Sequence, residues 1–166
     1  LKKNSLFSDQ SGVKQDSIRD FCKKIELVKK TRKSEDFLIG ARIESFILGK
    51  GLQDGLKRAE AYSKAGADII LIHSKEKNPK EIFSFSKIFK KNKFYKPLVS
   101  VPSTYSKTTE SMLIKNGFKI VIYANHMLRA AYPAMQNAAK SILKNQRSFE
   151  LESKISSVKE VINLIK

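Results

Sequence analysis

Residues 59–73 read Ala59-Glu-Ala-Tyr-Ser-Lys-Ala-Gly66-Ala-Asp68-Ile-Ile-Leu-Ile-His73. The first part, with Leu52 and Leu56 before it, places Ala59, Ala61 and Tyr62 in a helical pattern that stops at Gly66, a natural residue for a helix C-terminus. Asp68–His73 follows as a short apolar strand. Working outward, the same unit recurs on both sides. Upstream, Asp16 to about Arg32 spaces Ile18, Phe21, Cys22, Ile25 and Val28 as a helix, and Phe37-Leu-Ile-Gly-Ala41 reads as a first strand. Downstream, Asn78-Pro79 starts a helix, with Asn78 as its cap and Pro79 in its first turn, carrying Ile82, Phe83, Phe85, Ile88 and Phe89. Pro97–Val101 is a third strand, Thr108–Asn116 a helix stopped by Gly117, and Phe118–Tyr123 a fourth strand. A long helix from about His126 to Leu143 is expected to kink or be rebuilt at Pro133, and Ser157–Ile165 forms a last helix.

Four short apolar strands separated by amphipathic helices indicate the α/β class, with a parallel sheet and helical crossovers. Such units build either an open doubly wound sheet or a (β/α)8 barrel, and both bind ligands at the carboxyl ends of their strands. Polar residues mark those ends: Arg42 and Glu44 after the first strand, His73 and Ser74 after the second, Ser103 and Thr104 after the third, Asn125 and His126 after the fourth. In a barrel these groups converge on one mouth. A barrel has eight strands, so the chain reads as about half of one.

At 166 residues, 41% hydrophobic and 30% charged, the chain is long enough for one packed core and is not a disordered polyelectrolyte. Its net charge of +17 raises a nucleic-acid reading, in which a basic surface binds by counterion release. The cations are 27 Lys against 6 Arg, and the Lys-Lys pairs are scattered without interleaved aromatics, which favours solvated lysine-rich faces over a nucleic-acid site. The longest uncharged runs fall far short of a membrane span. One cysteine, Cys22, forms no internal disulfide and reads as a core residue, and the polar Leu1-Lys-Lys-Asn-Ser5 lacks the apolar region of a signal peptide. Together these point to the cytoplasm.

Specific residues narrow the function. Gly40-Ala-Arg-Ile-Glu-Ser-Phe46, Ala59–Asp68, Ile72-His-Ser-Lys75 and Ile122-Tyr-Ala-Asn-His-Met-Leu-Arg-Ala130 closely resemble the phosphoenolpyruvate mutase family of the isocitrate lyase superfamily. The resemblance runs over nearly the whole chain, from Asn4-Ser5, which is similar to the end of that family's loop motif, where Glu-Asp-Lys is followed by five residues and then Asn-Ser. It implies a TIM-type barrel in which residues 1–166 form the C-terminal half, residues 1–8 end a gating loop, and residues 126–166 supply C-terminal helices exchanged between subunits of a homo-oligomer, a dimer or tetramer. The helix after His126 carries Leu128, Ala131, Met135, Ala138, Ala139 and Ile142 as an apolar stripe suited to that packing.

The resemblance also implies the chemistry: interconversion of phosphoenolpyruvate and phosphonopyruvate, the P–C bond-forming first step of phosphonate biosynthesis. Arg42 and His73 would hold the transferring phosphoryl group, Asn4 would contact it from the loop, Lys2 and Ser5 would bind substrate beside it, and Glu44 would orient Arg42. Magnesium is the implied cofactor, with its carboxylates expected upstream of Leu1 and no metal ligand in the chain itself. Residue type alone leaves Arg42 open between a ligand and an ion-pair partner of Glu44, and His73 open between a ligand and a core histidine. A phosphonopyruvate hydrolase, a C–C lyase of the 2-methylisocitrate lyase or oxaloacetate decarboxylase type, and a non-catalytic basic module are the competing readings; neither nucleic acid nor membrane is an expected partner of the mutase.

Overall fold

The computed structural model of the chain describes residues 11–165. Residues 11–124 and 125–165 fall into two compact units. The first alternates helix and strand: α1 (Ile18–Thr31), β1 (Gly40–Ile43), α2 (Gly51–Ala65), β2 (Ile69–Ile72), α3 (Lys80–Phe89), β3 (Leu98–Ser100), α4 (Glu110–Lys115) and β4 (Phe118–Val121). The four strands form one parallel sheet in the order β1-β2-β3-β4. Sequential order without reversal has no switch point, and right-handed crossovers taken always in one direction lay their helices along one face, the winding of a barrel rather than of a doubly wound sheet.

Local chemistry explains the boundaries. Ser17 caps α1 by accepting from the Asp20 amide at 3.1 Å, and Thr109 caps α4 by accepting from that of Met112 at 3.3 Å. α2 ends at Gly66 with φ 112°, and Gly117, with φ 91°, follows α4, so both helices stop where only glycine is unstrained. At α3 the cap differs from expectation: Pro79 occupies that position, and Asn78 one residue earlier accepts from the Lys80 amide at 3.0 Å, an Asx turn leading into the helix.

The first strand is displaced from its expected span of Phe37–Ala41. Pairing with β2 sets it, Gly40 opposite Ile69 through Ile43 opposite Ile72, while the carboxylate of Asp68 accepts from the Ile39 amide at 2.8 Å. Phe37 and Leu38 therefore precede the strand, 61% and 55% exposed. The core lies between sheet and helices, with Ala41, Ile43, Ile70, Ile72 and Leu98 from the strands meeting Ala59, Tyr62, Ile82, Phe85 and Phe89. Cys22 packs against its edge, half-buried, and burial raises its thiol pKa.

A buried ionic cluster braces α2. Arg58 donates to Asp54 at 3.0 Å, to the Tyr62 hydroxyl at 2.8 Å and to the Asp16 carbonyl at 3.0 Å, and Ser45 donates to the same Asp54 oxygen at 2.6 Å. Burial opposes ionisation of Asp54, but the bonds from Ser45 and Arg58 outweigh it and hold the carboxyl below its usual range.

In the second unit, α5 (His126–Asn145) contains Pro133 within one continuous helix, so the helix is not rebuilt there. Proline forfeits one backbone bond, to the Arg129 carbonyl, while the rest of the helix continues on both sides of it. A 3₁₀ helix, η1 (Phe149–Lys154), follows, and then α6 (Val158–Asn163), where Ser157 and Glu160 form a capping box. No residue of α5 is buried, and Leu128, Met135 and Ile142 of its apolar stripe are exposed. Among the described residues no helix is long and apolar enough to cross a membrane.

Candidate active site at the strand ends

Alternation along the strands decides which side chains share a face. Ala41 and Ile43 of β1 and Ile70 and Ile72 of β2 are buried toward the helices, so Gly40, Arg42, Ile69 and Leu71 take the opposite face. Arg42 stands opposite Leu71 in the register. His73, two residues beyond Leu71, keeps strand geometry, its amide donating to the Ile43 carbonyl at 3.2 Å, and so falls on the Arg42 face. Arg42 lies inside β1 rather than after it, as the sequence suggested, because the strand is shifted toward the C-terminus.

Both residues differ from ordinary surface groups. His73 is 4% exposed, and its Nδ1 is buried with no hydrogen-bond partner among the described residues. Burial, reinforced by the positive charge of Arg42, pushes its pKa down to about 4, so the imidazole is neutral at physiological pH. Arg42 keeps a substantial part of its side chain in solvent and donates through Nε to the Glu44 carboxylate. That bond orients a guanidinium whose planar set of donors has the chemistry to bind an anion.

The loops beyond the other strands add polar groups at the same end of the sheet. Ser74, fully buried, donates to the Glu81 carboxylate, accepts from the Glu76 amide at 3.0 Å, and offers its carbonyl to Thr104 at 3.3 Å. Ser100, at the end of β3, and Tyr105, in the loop after it, share a buried hydrogen bond at 3.0 Å. A cavity of about 560 Å³ opens beside Ile47–Lys50 and Lys75, where Lys14, Lys50 and Lys75 give it positive charge. Glu81 carries no sequence signal beyond its place in the first turn of α3, because the hydrogen bond that matters crosses from one loop to a later helix.

Of the expected site residues, the structure brings Arg42, Glu44 and His73 to one end of the sheet; Lys2, Asn4 and Ser5 lie outside the described residues. Among the described residues no three His, Cys, Asp or Glu side chains lie close enough together to share a metal ion.

Comparison with known proteins places these features in context. Residues 3–143 match the family model described as phosphoenolpyruvate phosphomutase. The chain is 42% identical over 163 residues to the phosphoenolpyruvate phosphomutase of Tetrahymena pyriformis, covering 98% of this chain and 53% of that protein. It is 41% identical over 150 residues to the phosphonopyruvate hydrolase of a Variovorax strain, covering 89% of this chain and 50% of that one. In three dimensions it superposes on the crystal structure of a phosphoenolpyruvate phosphomutase from Streptomyces platensis with a TM-score of 0.90 at 36% identity, over 98% of this chain and 55% of that one. A phosphonopyruvate hydrolase in complex with oxalate and magnesium gives 0.83 at 37% identity, over 94% of this chain and 56% of that chain. The chain thus spans about half the length of the relatives it matches, and its four-stranded sheet has the α/β fold of TIM-barrel enzymes.

Proposed function

The chain belongs to the phosphoenolpyruvate phosphomutase family, and from that premise we propose that the whole protein interconverts phosphoenolpyruvate and phosphonopyruvate in the cytoplasm. The observation that carries the proposal is the pairing of a buried neutral imidazole, its Nδ1 without a partner among the described residues, with an arginine on the same sheet face at the carboxyl ends of adjacent parallel strands. A buried polar nitrogen with no partner costs on the order of 1–3 kcal/mol, which a bound ligand returns.

In the proposed reaction the C–P bond of phosphonopyruvate breaks with its electron pair retained as the enolate of pyruvate, and the enolate oxygen then forms the O–P bond of phosphoenolpyruvate. The phosphoryl group in transit resembles metaphosphate, so the protein's work is positioning and charge balance. Arg42 takes the equatorial oxygens with its fork, Glu44 fixes the guanidinium plane, and His73 hydrogen-bonds the same group without carrying charge of its own. By family resemblance, Asn4 is assigned to the phosphoryl group as well, and Ser5 and Lys2 to substrate contacts beside it. Magnesium, which the family resemblance implies, would supply Lewis acidity and charge neutralisation toward the substrate. Its carboxylate ligands are assigned by the resemblance to residues preceding Leu1. The exposed apolar stripe of α5 supports assembly as a homo-oligomer.

Hydrolysis of phosphonopyruvate to pyruvate and phosphate is the second reading, favoured by a 41% identical relative of that name. The two differ in whether water reaches the phosphoryl group. The full-length protein is given phosphonopyruvate and magnesium and followed by phosphorus NMR, alongside Arg42→Gln and His73→Asn. A phosphoenolpyruvate signal that falls by about 10²-fold or more in the variants supports the mutase. Inorganic phosphate instead establishes the hydrolase, and no phosphorus change refutes both.

A further inference from the structure

We infer that Glu81 is a positioning residue for His73, acting through the hydroxyl of Ser74. This rests on the functional reading of His73 above and extends it to a residue on α3 that touches no substrate. Among the described residues the His73 ring has no hydrogen-bond partner at Nδ1, so within them its orientation follows from packing and from its backbone. That backbone is fixed on both sides. The His73 amide donates to the Ile43 carbonyl at 3.2 Å, and the Ser74 carbonyl accepts from Thr104 Oγ1 at 3.3 Å. Between these anchors, the fully buried Ser74 hydroxyl donates to Glu81 while accepting from the Glu76 amide at 3.0 Å.

The Glu81 contact is the one member of this set with an ionisable partner, and a hydroxyl donating to a carboxylate makes one of the stronger bonds available to a serine. It ties the peptide following His73 to the first turn of α3, whose Ile82, Phe85 and Phe89 are locked in the core. The rigid helix thereby becomes the reference against which the imidazole is aimed. Misplacing a catalytic group by about 1 Å can cost about 10²-fold in rate, so a bond of this kind acts on the reaction without touching it.

The test is a double-mutant cycle in the full-length protein. Glu81→Ala is expected to lower kcat about 10- to 30-fold with KM within about twofold, whereas Glu81→Gln, which keeps an acceptor for Ser74, restores most of the rate. Ser74→Ala, cutting the same link from its other end, should reproduce the loss and add little to Glu81→Ala. In a His73→Asn background, Glu81→Ala should cost less than about twofold, because the group it aims is gone. Nitrogen NMR of the His73 ring gives a readout independent of turnover: one fixed tautomer in the parent protein and shifts averaged between tautomers in folded Glu81→Ala. Full additivity with His73→Asn, or unchanged ring signals in Glu81→Ala, overturns the inference. If the parent protein yields neither phosphoenolpyruvate nor phosphate, the functional reading fails, and the ring signals alone then decide whether Glu81 sets the imidazole.

Discussion

His73 makes stability depend on pH in a way that one substitution removes. In the unfolded chain its imidazole titrates near 6.5, whereas in the folded protein burial and the neighbouring Arg42 hold it down to about 4. Between those values the unfolded state binds a proton that the folded state refuses, so stability rises with pH across this window. Above about pH 6.5 the histidine imposes no penalty; as pH falls toward 4 the penalty grows to its full size and then levels off. A displacement from 6.5 to about 4 corresponds to about 3 kcal/mol. The assay is urea unfolding at half-unit steps from pH 4 to 8 for the parent protein and for His73→Asn, which keeps a polar group of similar reach and does not titrate. Carboxylates such as Asp54 titrate in both proteins, so the difference between the two curves isolates the histidine. The parent should lose about 3 kcal/mol more than the variant between pH 7 and pH 4. Parallel curves would refute the reasoning, showing that His73 is hydrated or partnered in the folded state.

Three further outcomes test the packing around the site. Arg58→Met strands the Asp54 carboxylate without its cation and should cost about 3 kcal/mol in urea unfolding, while adding Asp54→Asn recovers a large part of the loss. Phe85→Ala, at a fully buried position where α3 meets the sheet, should cost about 3–5 kcal/mol and lower the unfolding midpoint without changing the product formed. Gly66→Ala forces a Cβ onto φ 112° and to within 2.4 Å of the Lys29 side chain; the lysine can swing aside but the backbone cannot, so a loss of about 1–2 kcal/mol is expected from thermal melts.

Helix and strand alternation was legible because each element advertises itself locally. The helix bearing Ala59 and Tyr62 ends at Gly66, and the strand that follows is a run of isoleucine and leucine, signals that involve only near neighbours. Arg42 and His73 were legible as strand-end polar residues on the same grounds, and the family resemblance gave them an expected chemistry.

What only the tertiary structure decided were matters of meeting between distant segments. Phe37–Ala41 looks like a strand by composition, yet pairing with β2 and the Asp68 carboxylate move the strand to Gly40–Ile43 and place Arg42 within it. Arg42 and His73 share a face because Gly40 is registered on Ile69; a slip of one residue would send Arg42 into the helices. The depressed pKa of His73 likewise depends on burial and on an arginine from a neighbouring strand. The Ser74–Glu81 bond leaves no periodic trace, and although Asp54, Arg58 and Tyr62 recur at helical spacing, the Ser45 hydroxyl and the Asp16 carbonyl that complete their cluster come from outside the helix. The physical reason is range. Helices and strands are selected by one-dimensional hydrophobic periodicity, whereas register, burial and long-range hydrogen bonds are settled only when strands some thirty residues apart in the chain are brought side by side.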